Sequence, residues 1–155
     1  MSERGYLTSR TELLNFMRTH TYAVQASVSP VGAAQAAVIN IAVTDSLEII
    51  FDTVDTTRKV KNLLVNPRIA LVIGGWMPGD ERTVQYEGVV DKPQGPELER
   101  LMNIYYARFP EGRRRLSWAG ITYLRVRPTW IRYRDFNKVP ATILELDTEQ
   151  IQTLK

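Results

Sequence analysis

Cysteine is absent from this 155-residue chain, and histidine occurs once, at His20. The first absence excludes a disulfide framework, a thiol nucleophile and a cysteine-ligated metal. A lone histidine removes the usual zinc clusters and His-based triads as well. No apolar run approaches the ~20 residues that span a bilayer, and the opening MSERGYLTSR lacks the apolar core of a secretory signal. The expectation is a cytoplasmic protein with no membrane partner. Linkers, internal repeats and low-complexity tracts are missing too. A chain this poor in metal ligands and nucleophiles either binds passively or takes its chemistry from an organic cofactor.

What is present points to one compact domain, residues 1–155, because 44% of the residues are hydrophobic and a chain of this length buries roughly two thirds of its unfolded surface. The net charge is +3, from 20 basic and 17 acidic residues, and 15 of the basic ones are arginine. So small an excess is weak support for nucleic acid, although the pI is 9.3. No strand face shows the interleaved aromatic and basic residues of a nucleic-acid-binding barrel. Arginine in excess of lysine suits bidentate recognition of phosphate or carboxylate.

Periodicity gives the elements. Ser9 and Glu12 have capping-box spacing ahead of Leu13, Leu14, Phe16 and Met17, predicting a helix over about 9–19. YAVQASVS, AQAAVINIAV and LEIIFD read as three strands joined by turns at PVG and TDS, the second the more buried. IALVIGG reads as a strand buried on both faces, RTVQYEGVVDK as a long alternating strand, and WMPGDE as the loop between them. Pro96 and an amphipathic pattern predict a helix over about 96–109. ITYLRVR and TWIRYRD are expected as two closing strands around a tight turn at Pro128, with an irregular tail from Asn137. Seven strands and few helices predict a mainly β fold, an antiparallel sheet curled into a barrel with flanking helices.

One segment breaks the ordinary rules. TVDTTRKVKN, residues 53–62, starts a helix with cations where acids are favoured. Thr53, Thr56 and Thr57 gather hydroxyls at the same strand-to-helix turn, and the first amides of a helix have no intrahelical partner. Together with Arg58 and Lys59 they make a cradle for a phosphate dianion.

The segment FDTVDTTRKVKNLLVNPRIALVIGG, followed by RTVQYEGVV, resembles the FMN-binding split β-barrel family related to pyridoxamine 5′-phosphate oxidase. Phe51, Thr53, Thr57-Arg58-Lys59, Asn62-Leu63 and Asn66-Pro67-Arg68 carry the resemblance, which covers about residues 10–135. It implies that Arg58 and Lys59 hold the FMN phosphate with Thr53 and Thr57. It implies that the backbone around Val38, Ile39 and Asn40, with Phe51 and Asp52, lies beside the flavin ring, and that Gln85 or Thr83 contacts the flavin. It further implies a homodimer with cofactor in clefts between subunits, and hydride or electron transfer between a small-molecule substrate and the flavin. Deazaflavin-dependent reductases, haem-degrading proteins and a non-catalytic or stress-related flavin-binding module are the alternatives within the same barrel. WIRYRDFNKVP lacks the histidine of the Arg-Leu-His-Asp-Arg substrate segment, and AAVINIAV is uncharged, which argues against pyridoxamine phosphate as substrate.

The remaining features have ordinary structural readings. His20 ends a helix, where a polar cap is common. Trp130 is expected to pack at a barrel or dimer surface, and Trp76 either packs or borders the ring pocket. Arg113-Arg114-Arg115 reads as a solvated turn or a second anion site, and Asp80-Glu81 as turn residues.

Overall fold

A computed structural model describes residues 3–153 of the chain, and their side chains from Arg10 onward. The elements run α1 (Glu3–Thr19), β1 (Tyr22–Val28), β2 (Ala34–Asn40), β3 (Ala42–Val43), β4 (Ile49–Val54), α2 (Arg58–Val65), β5 (Arg68–Gly74) and β6 (Arg82–Asp91). They continue with α3 (Gly95–Arg108), a 3₁₀ helix (Pro110–Ser117), β7 (Ile121–Asp135), β8 (Thr142–Asp147) and α4 (Thr148–Thr153). Among the described residues no helix is long and apolar enough to cross a membrane.

The eight strands form one antiparallel sheet in the order β2-β1-β5-β6-β7-β4-β3, with β8 paired to β7. The sheet curls until β2 lies near β4, yet no ladder joins those two strands among the described residues. This is a split barrel with flanking helices. Its interior holds Ile39, Phe51, Ile69, Leu71, Ile73, Val84, Tyr86, Leu124 and Val126, sealed by Phe16 and Met17 of α1 and by Val60 and Leu63 of α2. A second cluster, Ile50, Tyr105, Tyr106, Phe109 and Tyr123, packs α3 against the outer side of β4 and β7.

Several expectations need correction. α1 begins at Glu3, so Ser9 lies within the helix and not at its N-cap position, and the Glu12 carboxylate accepts from Lys138 Nζ at 2.6 Å and Tyr133 Oη at 3.2 Å. The second strand breaks at Ile41 into β2 and β3, and β2 is mostly exposed, where the sequence predicts a more buried strand. β5 alternates buried and exposed residues and is not covered on both faces. The tail is not irregular: Leu144, Leu146 and Ile151 join the barrel core through β8 and α4.

The turn expected at Pro128 is absent, and β7 runs through it as one strand of 15 residues. On one flank β7 pairs with β4 through Val126 and with β8 from Trp130, so no strand pairs with residues 127–129 there, and the Thr129 carbonyl accepts from the Thr148 hydroxyl at 2.9 Å instead. Proline has no amide hydrogen to offer and is tolerated where a strand changes partners. On the other flank the register shifts at Glu87 and Gly88. A Cβ on Gly88 would come within 2.5 Å of Val126 Cγ1 and 2.6 Å of the Arg127 carbonyl, so only glycine fits this corner.

Candidate functional site

The site is built around the turn from β4 to α2. β4 alternates, so Phe51 and Thr53 face the barrel interior while Asp52 faces α3. Thr57 is the N-cap of α2, with extended backbone (φ −70°, ψ 154°), and its hydroxyl makes no capping bond. That hydroxyl lies 3.4 Å from the Thr53 hydroxyl. The first turn of α2 contains no acid, and neither Arg58 nor Lys59 forms an ion pair among the described residues. Partial burial lowers the Lys59 pKa, with no carboxylate to counter it. Two hydroxyls, the first amides of α2 and two cations without an ion pair among the described residues thus share one strand-to-helix turn, a donor set of the kind that binds a phosphate dianion.

Asn62 explains why α2 sits as it does. It is buried, and its Nδ2 donates to Ser27 Oγ at 3.0 Å and Gln35 Oε1 at 2.9 Å, tying the helix to β1 and β2. Asn66 leaves the helix in an extended conformation (φ −129°, ψ 102°) ahead of Pro67, as the sequence predicts.

The other sequence-predicted residues fall elsewhere. The Phe51 side chain is fully buried in the core, so that only its backbone can border a ligand. The Asp52 carboxylate is occupied: it accepts from Arg115 Nε at 2.6 Å and Tyr105 Oη at 2.7 Å. Desolvation and that carboxylate push the Tyr105 hydroxyl above its ordinary range. On β2, Val38 and Asn40 are exposed and Ile39 points inward. Thr83 and Gln85 alternate with the core residues Val84 and Tyr86, so they project from the outer face of β6. Thr83 Oγ1 accepts from Arg134 Nε at 3.4 Å. Thr53 and the pair Thr83 and Gln85 thus occupy opposite faces of the sheet.

The arginine triplet divides. Arg115 holds Asp52, Arg113 stacks over the Tyr106 ring at 4.4 Å, and Arg114 is exposed. His20 packs edge-on against Phe16 (4.7 Å) and Trp76 (5.6 Å), and burial lowers its pKa. Trp76 stacks on Tyr22 at 5.3 Å. Trp130 packs on the sheet and donates to Glu145 at 3.0 Å. Asp80 is no free turn acid, because it grips the Arg82 guanidinium at 2.8 and 2.7 Å and is held well below the carboxylate range by it.

Sequence reasoning missed two buried polar side chains, Gln25 on β1 and Thr122 on β7. Gln25 Oε1 and the Thr122 hydroxyl have no hydrogen-bond partner among the described residues. Thr122 sits opposite Thr53 in the β4–β7 register. Nothing local marks either residue, because both are buried by strands distant in sequence.

The barrel is similar to that of a heme binding protein from Mycobacterium smegmatis, at 14% identity and a TM-score of 0.77, over 92% of this chain and 59% of that one. A pyridoxamine 5′-phosphate oxidase-related, FMN binding protein from Nostoc punctiforme aligns at 13% identity and a TM-score of 0.65, covering 97% and 93% of the two chains. The heme storage protein HutZ from Vibrio cholerae aligns at 15% identity and 0.65, covering 76% and 88%. This chain therefore spans about three fifths of the mycobacterial protein. No curated protein matches the sequence. At these identities the structures establish a shared fold. The sequence matches the pyridoxamine 5′-phosphate oxidase family over residues 9–155, nearly its whole length, and the chain belongs to that family.

Proposed function

We propose that this protein is a flavoprotein oxidoreductase that binds FMN without a covalent bond, as a homodimer. The observation that carries the reading is the start of α2, where Arg58 and Lys59, without an ion pair among the described residues, follow directly on Thr57, whose hydroxyl lies 3.4 Å from that of Thr53. Thr57, Arg58 and Lys59 would hold the phosphate, with Thr53 orienting the Thr57 hydroxyl. The backbone of Val38, Ile39 and Asn40 and of Phe51 and Asp52 would border the ring. The bound flavin would supply redox chemistry between a small-molecule substrate and an electron donor. Family membership and the FMN binding relative from Nostoc punctiforme support this choice.

Two features support a dimer. Thr83 and Gln85 face away from Thr53, so a single ligand touches both sets only if a second copy supplies one of them. The outer row Val38, Val24 and Val72 crosses β2, β1 and β5 in register, and Val38 and Val72 are 65% and 44% exposed. Such an apolar row is the kind of surface that subunits cover.

Heme, named for the M. smegmatis and V. cholerae proteins, has less support here: the single histidine of the chain has its ring packed edge-on against Phe16 and Trp76. The test is titration of apoprotein with FMN, followed by flavin fluorescence. The parent should bind, and Arg58→Ala and Lys59→Ala should each bind more weakly. Parent-like binding by both variants refutes the phosphate site. Heat release of the chromophore, identified by absorbance and mass, separates FMN from a deazaflavin or heme.

A further inference from the structure

A cavity of about 490 Å³ opens between α2 and the β6–β7 end of the barrel. Such a volume lies within the range of small-molecule sites. Its walls are apolar, formed by Val60 and Leu64 of α2, Val90 of β6 and Leu124 of β7, and Leu64 at the rim is 80% exposed. Thr122, only 5% exposed, also lines it, and its hydroxyl has no hydrogen-bond partner among the described residues. Burying a hydroxyl unpaired is unfavourable, and groups left so in a native protein call for an explanation. Asp55 and Asp91 line the cavity together with Lys61 and Lys92, so the charges around it cancel and select no ion.

We propose that this cavity binds a neutral ring compound carrying one hydroxyl or carbonyl oxygen, which pairs with the Thr122 hydroxyl while the ring lies on Val60, Leu64, Val90 and Leu124. The hydroxyl both donates and accepts, so either oxygen serves. The cavity adjoins the start of α2, since Thr56 lines it and Thr122 pairs with Thr53 across the strands, but neither Arg58 nor Lys59 lines it, and the proposal stands without the FMN reading.

The experiment is calorimetric titration of the full chain at pH 7 with 2-naphthol and with naphthalene, the same ring lacking oxygen. The parent should bind 2-naphthol about tenfold more tightly than naphthalene. Thr122→Val keeps the shape and removes the hydroxyl. It should lower 2-naphthol affinity to the naphthalene level and leave naphthalene unchanged. Leu64→Asp should weaken both, and Arg58→Ala neither. Equal 2-naphthol affinity in parent and Thr122→Val, or no 2-naphthol binding at millimolar concentration, overturns the proposal. Melting gives a second reading: Thr122→Val should melt at or above the parent temperature. A lower melting temperature would mean that the hydroxyl is already paired, and overturns the premise.

Discussion

Arg115 and Arg125, beneath α3, spend their guanidinium groups on the protein's own carboxylates, whereas Arg58 and Lys59 at the start of α2 pair with none among the described residues. Arg125, with a side chain only 6% exposed, meets Asp91 at 2.6 Å and Glu97 at 2.8 Å. Arg115 meets Asp52 at 2.6 Å, both largely buried. In the first region the charge fastens helix to sheet, and taking either partner away strands a buried ion. In the second, an unanswered cation and an unspent N-cap leave donors for a ligand. Arginine content alone therefore says little about binding; what matters is whether a carboxylate of the same chain already answers it.

The largest effect should come from Asp52→Ala, which leaves the Arg115 guanidinium buried and unpaired. Denaturant unfolding should show a loss of about 3 kcal/mol, the cost of breaking a buried pair. An unchanged midpoint would erase the contrast. At the other region, Arg58→Ala and Lys59→Ala should each weaken FMN binding by ~1.5–3 kcal/mol, about 10- to 100-fold, while moving stability by less than about 0.5 kcal/mol. A comparable loss of folding stability would place these cations with the structural set.

Next in size is the outer face. Val72→Glu should weaken self-association by about 1.5 kcal/mol, roughly tenfold in dissociation constant by sedimentation, because one valine loses its cover. No change would move the subunit contact off this face.

The smallest effect concerns acid. Hydrogen bonds from Arg125 hold Asp91 below its ordinary value of 3.8. A depressed carboxylate contributes stability that is present above the ordinary value and is lost as pH falls through the lowered one. Thermal melts of the parent should decline with acidification below about pH 4, and Asp91→Asn should flatten that part of the profile.

Particular residues show what could be read in advance. The β4–α2 turn was legible because its signals are local: Thr57 precedes the helix, cations replace acids in its first turn, and Pro67 ends it. The helix over 95–108 was legible for the same reason. Pro128 misled because its tolerance depends on which strands lie beside β7, and the tail misled because Leu144 and Leu146 gain their burial from β7. Asp52 was expected near the ring through its backbone, and no local pattern revealed that Arg115, 63 residues away, would engage its side chain.

By itself the sequence determined the mainly β class, the starts and stops of α2 and α3, the cationic turn and the exclusion of cysteine chemistry, since each follows from composition or from residues within a few positions. The tertiary structure decided which arginines are already answered, which face of the sheet presents Thr83 and Gln85, and where a buried hydroxyl is left without a partner. Those outcomes depend on strand register and helix docking, which bring together side chains dozens of residues apart, and neither propensity nor periodicity carries that information.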